Sequence, residues 1–146
     1  MRLHALLIVA VGLLMAADNA DKSKDDLIKK ELDKMQGTWI AISAERDGEK
    51  RSKDEIKDLK FVVKGDKWSI NLDGQEYQGT LKIDPTKTPK QSDSIMEDGQ
   101  TVQAIYECDD VHLKLCWRGP GEDRPKEFVS KPDTGINLVV FKRAKP

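Results

Sequence analysis

Few side chains in this sequence can do chemistry, and their spacing keeps them apart. His112 is the only histidine beyond the first seventeen residues. It alternates with Leu113, so a strand that turns Leu113 to a core turns His112 to solvent. A lone outward histidine has no nucleophile partner for a Ser/His/Asp or Cys/His set. Cys108 and Cys116 lie in QAIYECDDVHLKLCW, which reads as a hairpin turning near Asp109-Asp110. Cys116 falls about five residues beyond that turn, roughly 17 Å along the strand. A disulfide needs Cα atoms within about 7 Å. With a two-residue loop the thiols also point to opposite faces. The expectation is two free thiols and no disulfide. Two cysteines without a clustered histidine do not make a zinc site. The acidic pairs Asp25-Asp26 and Asp109-Asp110 occupy a helix start and a turn, both structural places for aspartate. No glycine-rich phosphate loop or metal-ligand spacing appears. The residues therefore argue against an enzyme: no catalytic set, no metal and no cofactor.

Binding chemistry has better candidates. Trp68, Tyr77, Tyr106 and Trp117 fall on inward phases of their strands. They either fill a solid core or line a cavity for a small, partly apolar ligand, since an eight-stranded interior can do either. Arg118, Arg124 and Glu127 surround a Gly/Pro loop, RGPGEDR. They are either a mouth contact for an anionic ligand, with Arg124 the contact residue, or an ion pair that fixes the loop before Phe128. Asp93 depends on the register of its strand and is a ligand contact only if it points inward. An unpaired buried carboxylate is costly, which favours the surface.

Short strands must position these residues. The spacing predicts strands at Lys60–Lys64, Lys67–Leu72 and Gln75–Asp84, joined by the hairpin turns Gly65-Asp66 and Asp73-Gly74. Turns this short pair Phe61 with Ile70, Val63 with Trp68, Ile70 with Tyr77 and Trp68 with Gly79. One face is then apolar and the other mostly Lys, Ser, Asn, Glu, Gln and Thr. Gly79 either leaves room for the indole or marks a bend. The strand at Gln91–Glu97 has two possible registers around Asp98-Gly99. One aligns Ile95 and Asp93 with Val102 and Ala104; the other aligns Met96, Ser94 and Ser92 with that face. Val102, Ala104 and Tyr106 face Leu113, Leu115 and Trp117 across the next hairpin. A short strand is expected at Pro125–Ser130, and a last one at Ile136–Arg143 that is apolar on both faces. The first strand, Thr38–Arg46, carries Trp39 and Ala41 on one face and Ile40, Ile42 and Ala44 on the other. The second face needs a cover, and the N-terminal helix is the candidate. That helix is expected from Ser23, with Asp26 in capping-box spacing and a stripe of Ile28, Leu32 and Met35. Ser52 caps a further helical turn ending near Leu59. Nine strand candidates with no helical crossover describe an all-β, antiparallel up-and-down barrel of about eight to nine strands, with a short N-terminal helix across one mouth or flank.

The 146 residues suit one domain. Residues 1–17 read as a cleaved signal peptide rather than a retained membrane anchor: Arg2 is a positive n-region, Ala5–Met15 an apolar h-region too short to span comfortably, and Met15-Ala16-Ala17 a cleavage site, with the cut after Ala17 or, as alternatives, after Ala16 or Ala20. Residues 18–31 form a polar linker and short helix, and 32–146 the barrel domain. Cleavage removes one charged side chain, Arg2, and leaves 24 basic and 26 acidic residues, net −2. That balance gives no footprint for nucleic acid. No stable membrane span is expected after cleavage, and the destination is periplasmic or secreted.

The motifs together resemble a lipocalin-like domain family of uncharacterised function that is abundant in Planctomycetes. They are Met35-Gln36-Gly37-Thr38-Trp39, Ser43–Gly48, Lys64–Lys67, Gly79–Pro85, Ile105–Glu107, Leu113–Cys116, Gly121 with Arg124-Pro125, Glu127-Phe128 and Phe141–Arg143. The likeness spans roughly Leu32 to Lys145. It implies a calycin-type barrel in an exported protein, and no specific activity. It also implies that Gly37 and Trp39 close the barrel base, with Arg143 packed over the indole as a cation–π contact. The chain departs from the family at Asp110, often glycine, and at Ser92 and Ser94, often larger and apolar. The serines argue against a cavity that is apolar throughout. Two functions are consistent with the sequence: a barrel that binds a small, partly apolar molecule, or a filled barrel serving as a structural or interaction module for a cell-envelope protein.

Overall fold

The computed structural model describes residues 12–145. The segment expected to be a signal peptide, 1–17, falls largely outside them. Helix α1 spans Gly12–Met35. It is longer than the helix expected from Ser23, and Ser23 lies inside it rather than at its cap. The reason is local: no proline, and no glycine after Gly12, interrupts residues 12–35. The strands are β1 (Gly37–Arg46), β2 (Glu49–Lys50), β3 (Lys60–Lys64), β4 (Lys67–Leu72), β5 (Gln75–Asp84), β6 (Lys90–Met96), β7 (Thr101–Cys108), β8 (His112–Trp117) and β9 (Asn137–Arg143), with a short helix α2 at Lys53–Ile56. Ser52 caps α2 by accepting from the Glu55 N–H at 3.3 Å.

Every strand pair is antiparallel, and β1 pairs with β9. That pairing closes eight strands into a barrel and leaves β2 as a short extra strand on β1. Closure removes the sheet edges that would otherwise invite aggregation. The three hairpin strands pair as their turns require: Phe61 with Ile70, Val63 with Trp68, Trp68 with Gly79 and Ile70 with Tyr77. The constraint on Gly79 comes from β6, not from the indole opposite it. A Cβ there would lie 1.8 Å from the Ile95 carbonyl oxygen, a distance no side chain tolerates.

Two expectations about strands are corrected. Residues 125–130 are not a strand; the chain from Arg118 to Ile136 is irregular. It instead packs Phe128 and Ile136 over Ile105, Cys116 and Leu138, a second small core. This covers Leu138 on the outer face of β9. The first strand also breaks its alternation. Ala41 pairs with Phe141 and Ser43 with Val140, so Ile42 is an extra residue, a β-bulge. The bulge turns Ala44 inward, where it is buried, while Ile40 and Ile42 stay exposed and uncovered. The helix does not cover them.

Candidate functional site

The two ends of the barrel are built differently. At one end the core is sealed. Met35, Trp39, Tyr106, Leu113 and Phe141 are fully buried there, with Ile28 and Leu32 of α1 packed against the core. Register places Trp39 beside Arg143, and the guanidinium lies 4.2 Å from the indole centroid. The same two side chains satisfy the end of α1. Trp39 Nε1 donates to the Met35 carbonyl at 2.9 Å. Arg143 donates to the carbonyls of Lys34 and Gln36, and to that of Asp110 at 2.9 Å. A helix leaves its last carbonyls without partners, and here Trp39 and Arg143 supply three of them. Gly37 makes the turn out of the helix at φ +113°, and a Cβ there would meet Arg143 Nη1 at 3.2 Å. The Gly37, Trp39 and Arg143 constellation is thus both a barrel plug and a helix C-cap.

Glu31 is the buried charge at this end. Lys90 Nζ lies 2.8 Å from it and Lys34 Nζ 3.6 Å. Burial, and then the Glu31 charge, pushes the Tyr106 hydroxyl well above the usual tyrosine range. The same two causes push the Cys108 thiol up to about 11.

The other end is open. A cavity of about 470 Å³ runs inward from it, with Met35 among its lining residues. That volume lies within the range of small-molecule pockets. Phe61, Trp68, Ile70, Leu81 and Leu115 form its apolar wall, with Tyr77 and Trp117. The Trp68 indole N–H is already satisfied by the Thr80 carbonyl at 3.2 Å, so this ring offers the cavity an apolar surface. Ser92 and Ser94 line the cavity because the longer loop register holds: Ser94 pairs with Val102 and Ser92 with Ala104. The turn closes with the Met96 N–H on the Gln100 carbonyl, and Gly99 sits at φ +87°. A second hollow, of about 410 Å³, lies among Ile56, Leu59 and Val139 and shares Leu72 and Asn137 with the first. Its charged rim includes Arg51, already paired with Asp73 at 2.9 Å.

The aromatic candidates therefore divide. Trp68, Tyr77 and Trp117 line the cavity; Tyr106 belongs to the sealed end. Arg124 is not among the lining residues. Asp93 points outward, between the inward Ser92 and Ser94, and Arg124 Nη2 binds it at 2.6 Å. Arg124 Nη1 also donates to the carbonyls of Ser92 at 2.8 Å and Ala104 at 2.7 Å. The arginine pins the long loop to the outside of β6 and β7, and its partner is Asp93 rather than Glu127. Arg118 does line the cavity, as does Arg46. Arg46 was hidden in the sequence by the bulge at Ile42, which shifts the inward phase from Trp39 and Ala41 to Ala44 and Arg46. His112 is exposed, and its N–H and that of Val111 bind Asp109 Oδ1 at 2.6 and 2.8 Å, an aspartate turn. Cys108 and Cys116 are both free thiols, one in the barrel interior and one under the outer loop. Among the described residues no cluster of His, Cys, Asp and Glu could hold a metal ion. No protein-family model, curated protein or solved structure matches this chain.

Proposed function

We propose that this chain is an exported, non-catalytic module that binds one small, partly apolar molecule in the open end of its barrel, akin to the lipocalin-like domains it resembles. The observation that carries the reading is the asymmetric interior: one end is plugged by Trp39 and Arg143, and the other holds an aromatic-walled cavity of about 470 Å³. A plugged base makes a cup, and a concave, largely apolar space with few polar groups is where small ligands bind. The export half rests on Arg2 and the apolar run Ala5–Met15. No helix among the described residues is long and apolar enough to cross a membrane. Ile40 and Ile42 are the exposed apolar pair on β1. An exposed pair this small needs no partner to explain it.

Tryptophan quenching tests the reading. Trp68 and Trp117 line the cavity and Trp39 is sealed away. A small apolar fluorophore should quench part of the emission and appear as a one-to-one complex by native mass spectrometry. Ser94→Phe, which places a ring in the cavity, should abolish both signals while the fold persists. Undiminished binding in that variant sinks the proposal. Export is checked by the intact mass of protein recovered outside the cytoplasm, which should begin at Asp18.

A further inference from the structure

We infer that the ligand of this cavity is an anionic amphiphile, its tail against the aromatic wall and its singly charged head between Arg46 and Arg118. The inference rests on the binding reading above and specifies its chemistry. Of the five arginines in the described residues, Arg51 pairs with Asp73, Arg124 with Asp93, and Arg143 holds the helix end. The other two are Arg46 and Arg118. Among the described residues neither forms an ion pair, and both line the cavity.

Topology places them together. Arg46 pairs with Asn137 on β9, and Asn137 pairs with Trp117 on β8, the residue before Arg118. Two strand spacings separate the backbones, about 10 Å. Two long guanidinium side chains can converge on one head group across that span. Asn137 lies between them and also lines the cavity. The Arg118 Nε is buried and has no acceptor. A desolvated donor left unpaired is costly, and such atoms in a native structure ask for an explanation. An incoming carboxylate, sulfonate or phosphate ester oxygen would supply the missing acceptor, and guanidinium is the group best matched to such anions.

The far rim fixes the orientation. Asp98 is the one acidic residue lining this cavity, and its Oδ1 already accepts from the Gln100 N–H at 2.9 Å. Glu76 and Glu97 line the shallow hollow next to it. A mouth that is acidic on the β5–β6 side and basic on the β1, β8 and β9 side repels an anion from one flank and collects it at the other. The wall beneath, from Phe61 to Leu115, has no charged side chain to receive the head, so the tail goes in.

Matched ten-carbon probes test this on the full chain: decanoate, decanol and decyltrimethylammonium, each displacing the fluorophore. Decanoate should bind about tenfold more tightly than decanol, the worth of one charge-assisted contact, and added salt should reduce the difference. The ammonium compound should bind weakest. R118M and R46M/R118M should bring decanoate to the affinity that decanol has in the same variant. Retained decanol binding also shows that each variant is folded. Equal affinities for decanoate and decanol, tighter binding of the ammonium compound, or a decanoate preference that survives in R46M/R118M overturns the inference and leaves the binding cavity standing. If none of the three displaces the fluorophore, the binding reading falls as well.

Discussion

The plugged end and the open end of this barrel are made from the same residue types. Trp39 and Trp68 are both buried indoles, and Arg143 and Arg118 are both arginines at strand ends. At the plugged end the Trp39 N–H takes a helix carbonyl, Arg143 takes three carbonyls and an indole face, and Glu31 takes Lys90, while the buried Tyr106 hydroxyl has no partner. At the open end the aromatic wall faces empty volume, and Arg46 and Arg118 have no acid partner among the described residues. The difference teaches what satisfaction means here. The network around Arg143 holds α1 to the barrel, and the two unpaired arginines mark the rim of the proposed binding surface.

The strongest way to break this contrast is to truncate one indole at each end. Trp39→Ala should cost about 3–5 kcal/mol in urea unfolding, the usual range for a fully buried tryptophan, and should fray α1. Trp117→Ala, at a half-buried site facing the cavity, should cost well under half as much. Comparable losses would mean the two ends are not energetically distinct. Arg143→Met comes next. It leaves the carbonyls of Lys34, Gln36 and Asp110 short of a donor and should cost about 2–3 kcal/mol, with no change in cavity binding; Arg143→Lys should not restore it, because a point charge cannot reach three acceptors.

Arg124→Ala sharpens the comparison from outside. It removes a charge-assisted contact to Asp93 and two to backbone and should cost about 1–2 kcal/mol. Probe affinity should stay within twofold of the parent, because the residue does not line the cavity. A large loss of binding would show that the outer loop is coupled to the mouth.

The smallest effect concerns the covered thiol. Burial pushes Cys116 up to about 11. Between the ordinary thiol value near 9 and about 11, the unfolded chain releases this proton and the folded one keeps it. Stability from this group is therefore complete below pH 9 and lost as pH rises through that window. The drop in urea midpoint from pH 8.5 to 10.5 should be smaller in Cys116→Ala than in the parent. Equal drops would show that the thiol is not shielded by the 118–136 segment.

Much of the architecture was legible because it is local. The turns Gly65-Asp66 and Asp73-Gly74 fix registers over a few residues, and alternation then assigns faces to Phe61, Val63, Trp68 and Ile70. Gly37, Trp39 and Arg143 were legible through family resemblance, and the site they form carries an added role, capping α1, that no spacing reveals. The loop that carries Arg124 is legible, but its partner is not: Asp93 lies thirty-one residues away on a strand whose register two turn lengths leave open.

By itself the sequence determined an antiparallel barrel of short strands, its hairpin registers, two unpaired cysteines and an aromatic inner face. Tertiary structure alone decided which aromatics fill and which line: Tyr106 sits under α1 and Trp117 under nothing. It decided the bulge at Ile42 that turns Arg46 to the mouth, the burial of Glu31, and the loop that covers Cys116. The physical reason is the reach of the interactions. Turn chemistry and alternation act within a strand or its neighbour, whereas cavity, plug and mouth charge depend on how eight strands close and where one helix lies against them.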